Sequence, residues 1–108
     1  MKIYVGGAHQ GQLELARLEN PGAELIDRFH ERIKVLVERR EDVSAYVELL
    51  MIEHSDAVII SDELGAGIVP MEPIDRAWRE AHGRAMCLLT RQAEALTRVV
   101  CGIGVRLK

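Results

Sequence analysis

The stretch Lys2-Ile3-Tyr4-Val5-Gly6-Gly7-Ala8-His9-Gln10-Gly11-Gln12-Leu13 decides the fold of this chain. Its first four residues have the apolar pattern of a buried strand, and the glycines after them predict a turn into a helix. Gly6 and Gly11 stand at the spacing of G-x-x-x-x-G-K-[ST], a loop whose backbone N–H groups hold phosphate. Gln12 and Leu13 occupy the positions of its Lys and Ser/Thr. The stretch therefore predicts the backbone of a phosphate site without its two reactive side chains.

The two replaced residues decide what such a loop can do. The lysine neutralises phosphate charge and the hydroxyl holds Mg²⁺. Losing one charge-assisted hydrogen bond costs about 1.5–3 kcal/mol of binding, whereas phosphoryl transfer depends almost wholly on positioned positive charge. We expect a nucleotide or phosphate to bind with weak or no catalysis. A turn without any ligand is the alternative. The expected binding residues are Gly6, Gly7, Ala8, His9, Gln10, Gly11 and Gln12.

Apolar periodicity in the rest of the chain predicts strands alternating with helices. A short helix over 12–18 precedes 23–27, which fits either a strand or the first turn of the next helix. Further helices are expected up to residue 41, over 43–54 and over 73–95, with strands at 57–61 and 97–101 and an extended tail. This order predicts one α/β domain over 1–108, a three-layer phosphate-loop-like fold whose small, mainly parallel sheet has three or four strands flanked by helices.

Polar residues near the predicted strand ends are further candidates for a site. Asp27 would end the second strand, where a carboxylate can hold Mg²⁺, although capping of the next helix explains it equally well. The loop that follows the 57–61 strand lies at the carboxyl edge, where open α/β sheets bind ligands. Three arginines in the long helix would form an anion clamp or a solvated, salt-bridged surface. The loop residues are Asp62, Glu63, Gly65 and Gly67, and the arginines are Arg76, Arg79 and Arg84.

Composition and charge limit the classes of partner that the sequence predicts. The 108 residues are 48% hydrophobic and 29% charged, and the formal net charge is −3. Basic residues are dispersed among acids, so we expect no nucleic-acid partner, and no apolar run is long enough to predict a membrane span. These features predict a cytoplasmic protein. Cys87 and Cys101 lack the spacing of a zinc site and are expected to be small buried residues.

Three ordered segments carry a resemblance to a known family. Residues 62–70 read D-E-L-G-A-G-I-V-P, residues 76–84 read R-A-W-R-E-A-H-G-R, and residues 102–108 read G-I-G-V-R-L-K. They resemble the N-E-V-G-x-G-I-V-P, R-x-x-R-[DE]-x-x-G-R and G-I-x-x-x-x-K patterns of the adenosylcobinamide kinase / adenosylcobinamide-phosphate guanylyltransferases of cobalamin synthesis. The resemblance covers the last half of the chain and returns at Gly6-Gly7-Ala8.

The resemblance implies a nucleotide fold that uses GTP or ATP with Mg²⁺, a corrinoid substrate and assembly into a homo-oligomer. Association with a full-length paralogue belongs to the alternative of a regulatory subunit. The resemblance favours Arg76, Arg79 and Arg84 as ligand contacts. The family has a histidine that carries a covalent guanylyl group, and His30 is the candidate for it in this chain. The residues around His30 do not match the family pattern, so the role is not assigned to it. Three functions stay open: a nucleotide binder with weak or no catalysis, an active enzyme that uses Arg76 or Arg79 for the missing lysine, and a regulatory subunit.

Overall fold

A single mixed sheet with helices on both faces organises the molecule. The computed structural model describes residues 1–64 and 72–108. The elements of these ranges are, in order, β1 (Lys2–Gly6), α1 (Gln12–Glu19), β2 (Leu25–Ile26), α2 (Phe29–Glu38), α3 (Val43–Glu53), β3 (Val58–Asp62), α4 (Pro73–Gln92), β4 (Ala95–Val100) and β5 (Ile103–Arg106).

The strand order across the sheet is β2-β3-β1-β4-β5. The first four strands are parallel, and β5 runs antiparallel to β4. The predicted α/β fold with a mainly parallel sheet is confirmed, but the described residues form five strands rather than three or four. The ambiguous segment near residue 25 forms a two-residue strand, and the expected tail turns back at Gly102 to pair with β4.

Alternating side chains of the central strands separate two cores. Ile3 and Ile59 point to the face that packs against α2, α3 and α4, around the fully buried Phe29. Tyr4 and Val58 point to the opposite face, which α1 covers with Ala16. Three layers result, because the central strands β1 and β3 bury both of their faces.

Local sequence signals account for several element ends. The Asp42 side chain accepts a hydrogen bond from the Ala45 N–H at 3.1 Å and so caps α3, the helix expected over 43–54. The expectation that Cys87 and Cys101 are buried is wrong, since both are exposed. Cys87 lies in α4, and Cys101 lies in the β4–β5 turn with a φ of 50°. In the described ranges no helix is long and apolar enough to cross a membrane.

Candidate functional site

The glycine loop joins β1 to α1 and keeps its predicted shape. Gly6 is buried at the strand end, and a Cβ built on it would lie 2.5 Å from the Val99 carbonyl oxygen. Only a glycine fits such an approach without a shift of the neighbouring backbone. Gly11, with a φ of 92°, precedes the first helical residue, and His9 also has a positive φ of 61°. The loop is therefore a defined turn that leads directly into the amino terminus of α1.

Backbone N–H groups of this loop are available as donors. Among the described residues, no close backbone hydrogen bond forms to the N–H groups of residues 7 to 14 apart from the turn at Ala8 and His9, and the first helical bond runs from the Leu15 N–H to the Gly11 oxygen at 3.1 Å. The His9 side chain is exposed, and Leu13, in the first turn of α1, packs against the core around Tyr4, so neither fills the loop. Converging N–H groups at a helix amino terminus attract anions, because the helix dipole adds to their positive ends.

The β4–β5 turn holds the loop in place. The Gln10 side-chain oxygen accepts from the Cys101 N–H at 2.8 Å, and the Gln10 main-chain oxygen accepts from the Gly102 N–H at 2.7 Å. A Cβ on Gly11 would lie 3.4 Å from the Gly102 Cα. The two turns thus stabilise each other across the carboxyl edge of the sheet.

Gln12 occupies the place of the motif lysine. Its side chain is 5% exposed, and its Nε2 donates to the Gly7 carbonyl at 2.8 Å and to the Asp62 carboxylate at 3.3 Å. The amide therefore bridges the loop and the end of β3. It contributes hydrogen bonds but no positive charge.

Asp62 reaches the loop because of strand register. Asp62 pairs with Gly6 at the carboxyl ends of the adjacent parallel strands β3 and β1. His30 fixes it from the other side, since its Nδ1 accepts from the Asp62 N–H at 3.0 Å and its Nε2 lies 3.6 Å from Oδ2. An Nδ1 that accepts requires the ring proton on Nε2, where it faces the carboxylate. Trp78 stacks on this ring and donates from Nε1 to the His30 carbonyl at 2.6 Å.

A second histidine, His82, contacts Ser61, the residue before Asp62, from the core side. Ser61 is buried, and its Oγ lies 2.8 Å from Nε2 of His82. Burial, and then the charge of the nearby His30, lower the pKa of His82 from 6.5 to about 4. His82 is consequently neutral near pH 7 and acts as a hydrogen-bonding core residue.

Glu63 links neighbouring strands at the same edge of the sheet. Its N–H donates to the Gly6 carbonyl at 2.8 Å, and its carboxylate pairs with the Arg98 guanidinium at 3.0 Å. This contact joins the loop after β3 to β4, two strands away across the sheet. The carboxylate is thus already paired in this structure.

The other predicted residues lie in different surroundings. Gly65 and Gly67 are outside the described residues. Arg84 is exposed and pairs with Glu80 at 2.7 Å, four residues earlier, as in the solvated-surface interpretation. Arg76 and Arg79 lie in the first turns of α4, and their contact with a ligand stays a prediction.

The proposed metal ligand Asp27 lies apart from the glycine loop. It follows β2, with β3 between it and β1. Within 1–64 and 72–108, no group of three or more His, Cys, Asp or Glu residues is arranged to hold a metal ion. A metal role for Asp27 stays a prediction.

Sequence reasoning overlooked the arrangement of His30, Ser61 and His82 around Asp62. One signal was present, because His82 shares the helical stripe of Trp78, Ala85 and Leu89 and so had to face the core. The meeting of three elements at the end of β3 has no local signature. It depends on how α2 and α4 pack on the sheet.

Comparison with known proteins places this chain in a family. The family model described as cobinamide kinase / cobinamide phosphate guanyltransferase matches residues 21–107, a range that begins after the glycine loop. The bifunctional adenosylcobalamin biosynthesis protein CobU of Salmonella typhimurium is 39% identical over 51 residues. That match covers 47% of this chain and 28% of the Salmonella protein. Since the family model spans most of the chain, the protein belongs to the cobinamide kinase / cobinamide phosphate guanyltransferase family.

Proposed function

We propose that this protein binds the phosphates of GTP or ATP at the glycine loop, with weak or no phosphoryl transfer, in the context of cobalamin synthesis. The observation that carries the proposal is the run of N–H groups from residues 7 to 14, which, apart from the turn at Ala8 and His9, make no close hydrogen bond to a described backbone oxygen. These donors lie at the amino terminus of α1, beside the end of β3. A phosphate there would accept several backbone hydrogen bonds and benefit from the helix dipole.

Two carboxylates are candidates to hold Mg²⁺ with the nucleotide. Carboxylate oxygens are the protein ligands that Mg²⁺ prefers, usually with several waters retained. Asp62 fits through its position on the strand next to β1, its partial exposure and its fixed orientation against His30. Asp27, one strand further, is the ligand proposed from the sequence. The ion would neutralise phosphate charge, while the chain itself supplies the loop donors and the orientation of the carboxylate.

Weak catalysis follows from Gln12. Its amide already donates to Gly7 and Asp62, and it cannot neutralise the charge of a transferring phosphoryl group. Removing one preorganised donor from a catalytic site lowers rates by about 10²–10³, and loss of a full positive charge should cost at least as much.

An apolar cavity is the candidate site for a large acceptor molecule. A cavity of about 840 Å³ opens beside Asp62 and Glu63, and its walls include Val5, Met86 and Leu96. Ligand sites of this kind are mostly apolar with a few polar groups that fix orientation. The family's corrinoid acceptor is the substrate class that we propose for it. Because the Salmonella match covers only part of that protein, the activity of the whole enzyme is not carried over.

Calorimetric titration with GTP and ATP, with and without Mg²⁺, tests nucleotide binding. We expect measurable heat for the unmodified protein and weaker binding for Ala8→Asp, which adds a negative charge to the exposed part of the loop. Leu18→Asp is the matched control, because it adds the same charge to exposed α1 surface. Absence of heat and of thermal stabilisation at millimolar nucleotide would contradict the proposal.

A transfer assay separates binding from enzyme activity. With labelled ATP and adenosylcobinamide, we expect phosphate transfer at or near the level of a control without protein. Clear transfer that Arg76→Ala or Arg79→Ala abolishes would instead support an active enzyme with a substituted cation.

A further inference from the structure

A second pocket borders the glycine loop, on the side away from the acceptor cavity. This α1 pocket, with a volume of about 450 Å³, opens between the start of α1 and the β4–β5 turn. Cavities of about 300–1,000 Å³ hold small-molecule ligands. Leu18 also borders the pocket, but this residue is 78% exposed, so we assign it no ligand contact. The residues that form the walls are His9, Gly11, Glu14, Leu15 and Gly102.

The two cavities lie on opposite faces of the sheet. The acceptor cavity is lined by Val5 and Leu96, which pack in the core beneath α2, α3 and α4. The α1 pocket is lined by Leu15, which packs against the core beneath α1. The glycine loop joins β1 to α1 and so passes between the two cavities. A phosphate at the loop would therefore have space for its acceptor on one side and for the rest of its nucleotide on the other.

The α1 pocket is within reach of a nucleotide whose phosphates lie at the loop. Gly11 belongs to both sites, because it ends the loop and lines the pocket. A Cβ built on Gly11 would lie 3.4 Å from the Gly102 Cα and 4.0 Å from Oε2 of Glu14. The Glu14 carboxylate therefore lies next to the end of the phosphate loop. Since one ribose separates the phosphates of a nucleotide from its base, the base can reach this carboxylate.

Glu14 has the acceptors that distinguish the two purines. An ionised carboxylate only accepts hydrogen bonds. Guanine presents two adjacent donors, a ring N–H and an exocyclic amine, whereas adenine presents one amine beside a ring nitrogen that is itself an acceptor. The carboxylate can thus accept two hydrogen bonds from guanine but only one from adenine, next to a repelling lone pair. A bidentate contact of this kind changes the relative affinity for two bases by about tenfold to a hundredfold.

The carboxylate needs such a partner if a nucleotide binds here. Glu14 lies in the first turn of α1, where its charge repels phosphate. In the described parts of the chain, Glu14 makes no ion pair or side-chain hydrogen bond. Hydrogen bonds from the base of the same nucleotide would offset the repulsion. An acid in this turn also stabilises the helix through its dipole, so a role in binding has to be measured as selectivity between nucleotides and not as stability.

His9 provides a ring on the wall of the same pocket. Its side chain is exposed, and its positive φ of 61° places it in the turn of the loop. Histidine rings stack on nucleic-acid bases. Stacking does not distinguish guanine from adenine, because every base has a π face. His9 should therefore contribute to the affinity for both nucleotides, and Glu14 to the choice between them.

We propose that the α1 pocket binds the base of the nucleotide and that Glu14 selects guanine over adenine. This inference rests on the proposed binding of nucleotide phosphates at the glycine loop. It adds a direction for the bound molecule, with the base on the α1 side of the loop and the acceptor on the α4 side. It also makes GTP, rather than ATP, the preferred ligand.

Calorimetric titration with the Mg²⁺ complexes of GTP, ATP and inosine triphosphate tests the selectivity. The unmodified protein should bind GTP about tenfold or more tightly than ATP. Inosine triphosphate lacks the exocyclic amine of guanine but keeps the ring N–H, so its affinity should lie between the two. This comparison needs no variant. Equal affinities for GTP and ATP, or tighter binding of ATP, would overturn the inference while leaving the phosphate site in place.

Variants assign the selectivity to Glu14. Glu14→Ala should bind GTP and ATP with affinities within about twofold of each other, whereas His9→Ala should weaken both by a similar factor. Glu48→Ala is the matched control, because it removes the same charge from the exposed side of α3 and should keep the preference for GTP. Circular dichroism establishes that each variant is folded.

The outcomes separate this inference from the proposed function. A GTP preference that survives in Glu14→Ala, or that is lost equally in Glu48→Ala, would overturn the role of Glu14 alone. Absence of binding for all three nucleotides would contradict the phosphate site itself, and the inference would fall with it.

Discussion

The glycine loop and the end of β3 lie side by side at the carboxyl edge of the sheet, yet they are built in opposite ways. In the loop, the backbone N–H groups outside the turn at Ala8 and His9 make no close hydrogen bond to a described backbone oxygen, and Gln12 provides no charge. At Asp62, both the N–H and the carboxylate are engaged by His30 and Gln12. The proposed ligand would therefore meet backbone donors in the loop, whereas the strand end is already ordered by its neighbours.

Adding one methyl group to the loop should have the largest effect. In Gly6→Ala the Cβ would lie 2.5 Å from a carbonyl oxygen of β4, so the backbone must shift, and we expect a loss of about 3 kcal/mol or more in the free energy of unfolding. Gly83→Ala in α4 is the control, because its Cβ meets no atom within 4 Å and should stabilise the helix by up to about 1 kcal/mol. Urea unfolding measures both variants. Equal stability of the two would show that the loop is not confined as described.

Removing His30, the histidine that orders Asp62, should have the next largest effect on the free energy of unfolding. His30→Ala leaves the Asp62 N–H without its acceptor, at a cost of up to about 3 kcal/mol in unfolding free energy. His30→Asn provides an oxygen near the position of Nδ1 and should recover part of that loss. If the alanine and asparagine variants unfold at the same urea concentration, the hydrogen bond to Asp62 contributes little.

Acid should weaken the same region through His82. Its pKa is lowered to about 4 in the folded protein, so the unfolded chain binds a proton first as the pH falls below 6.5. The contribution of neutral His82 to stability is complete above pH 6.5 and is lost progressively as the pH falls towards 4. The loss at pH 5 should amount to about 2 kcal/mol.

A variant isolates this contribution from other titrating groups. His82→Gln keeps a donor near the position of Nε2 but does not titrate, so its unfolding free energy should fall less between pH 7.5 and pH 5 than that of the unmodified protein. Parallel pH profiles for the two proteins would contradict a neutral, buried His82.

Restoring charge to the loop should have the smallest of these effects, and it changes the free energy of nucleotide binding rather than that of unfolding. Gln12→Lys with Leu13→Ser should raise nucleotide affinity by about tenfold, because a charge-assisted bond to phosphate replaces a neutral amide. Leu18→Lys adds the same charge to α1 outside the loop and controls for general attraction. An affinity that rises equally in both variants would mean that position 12 does not face the phosphate.

Local patterns were sufficient to predict most elements but not the environment of the site. Asp42 as a helix cap and the buried run near Ile59 follow from neighbouring residues alone, and both are present. The pairing of β5 with β4 was overlooked because Gly102 and Gly104 suggest a tail, whereas the return depends on tertiary pairing.

The candidate site likewise has one part that the sequence predicts and another that it does not. The glycine spacing predicted the loop, and the register of β1 with β3 explains why Asp62 lies beside it. The contact of Gln12 with Asp62 spans 50 residues, and that of Trp78 with His30 spans 48, so no window of sequence contains either pair. Such contacts become visible only when the helices are placed on the sheet.

A titration of isotope-labelled protein with GTP, followed by amide NMR, tests the central claim most directly. We predict that the largest shifts fall on the N–H groups of residues 7 to 14 and saturate with nucleotide, while α3 amides remain unchanged. Shifts confined to other segments, or no shifts at millimolar GTP with and without Mg²⁺, would contradict a phosphate-binding loop.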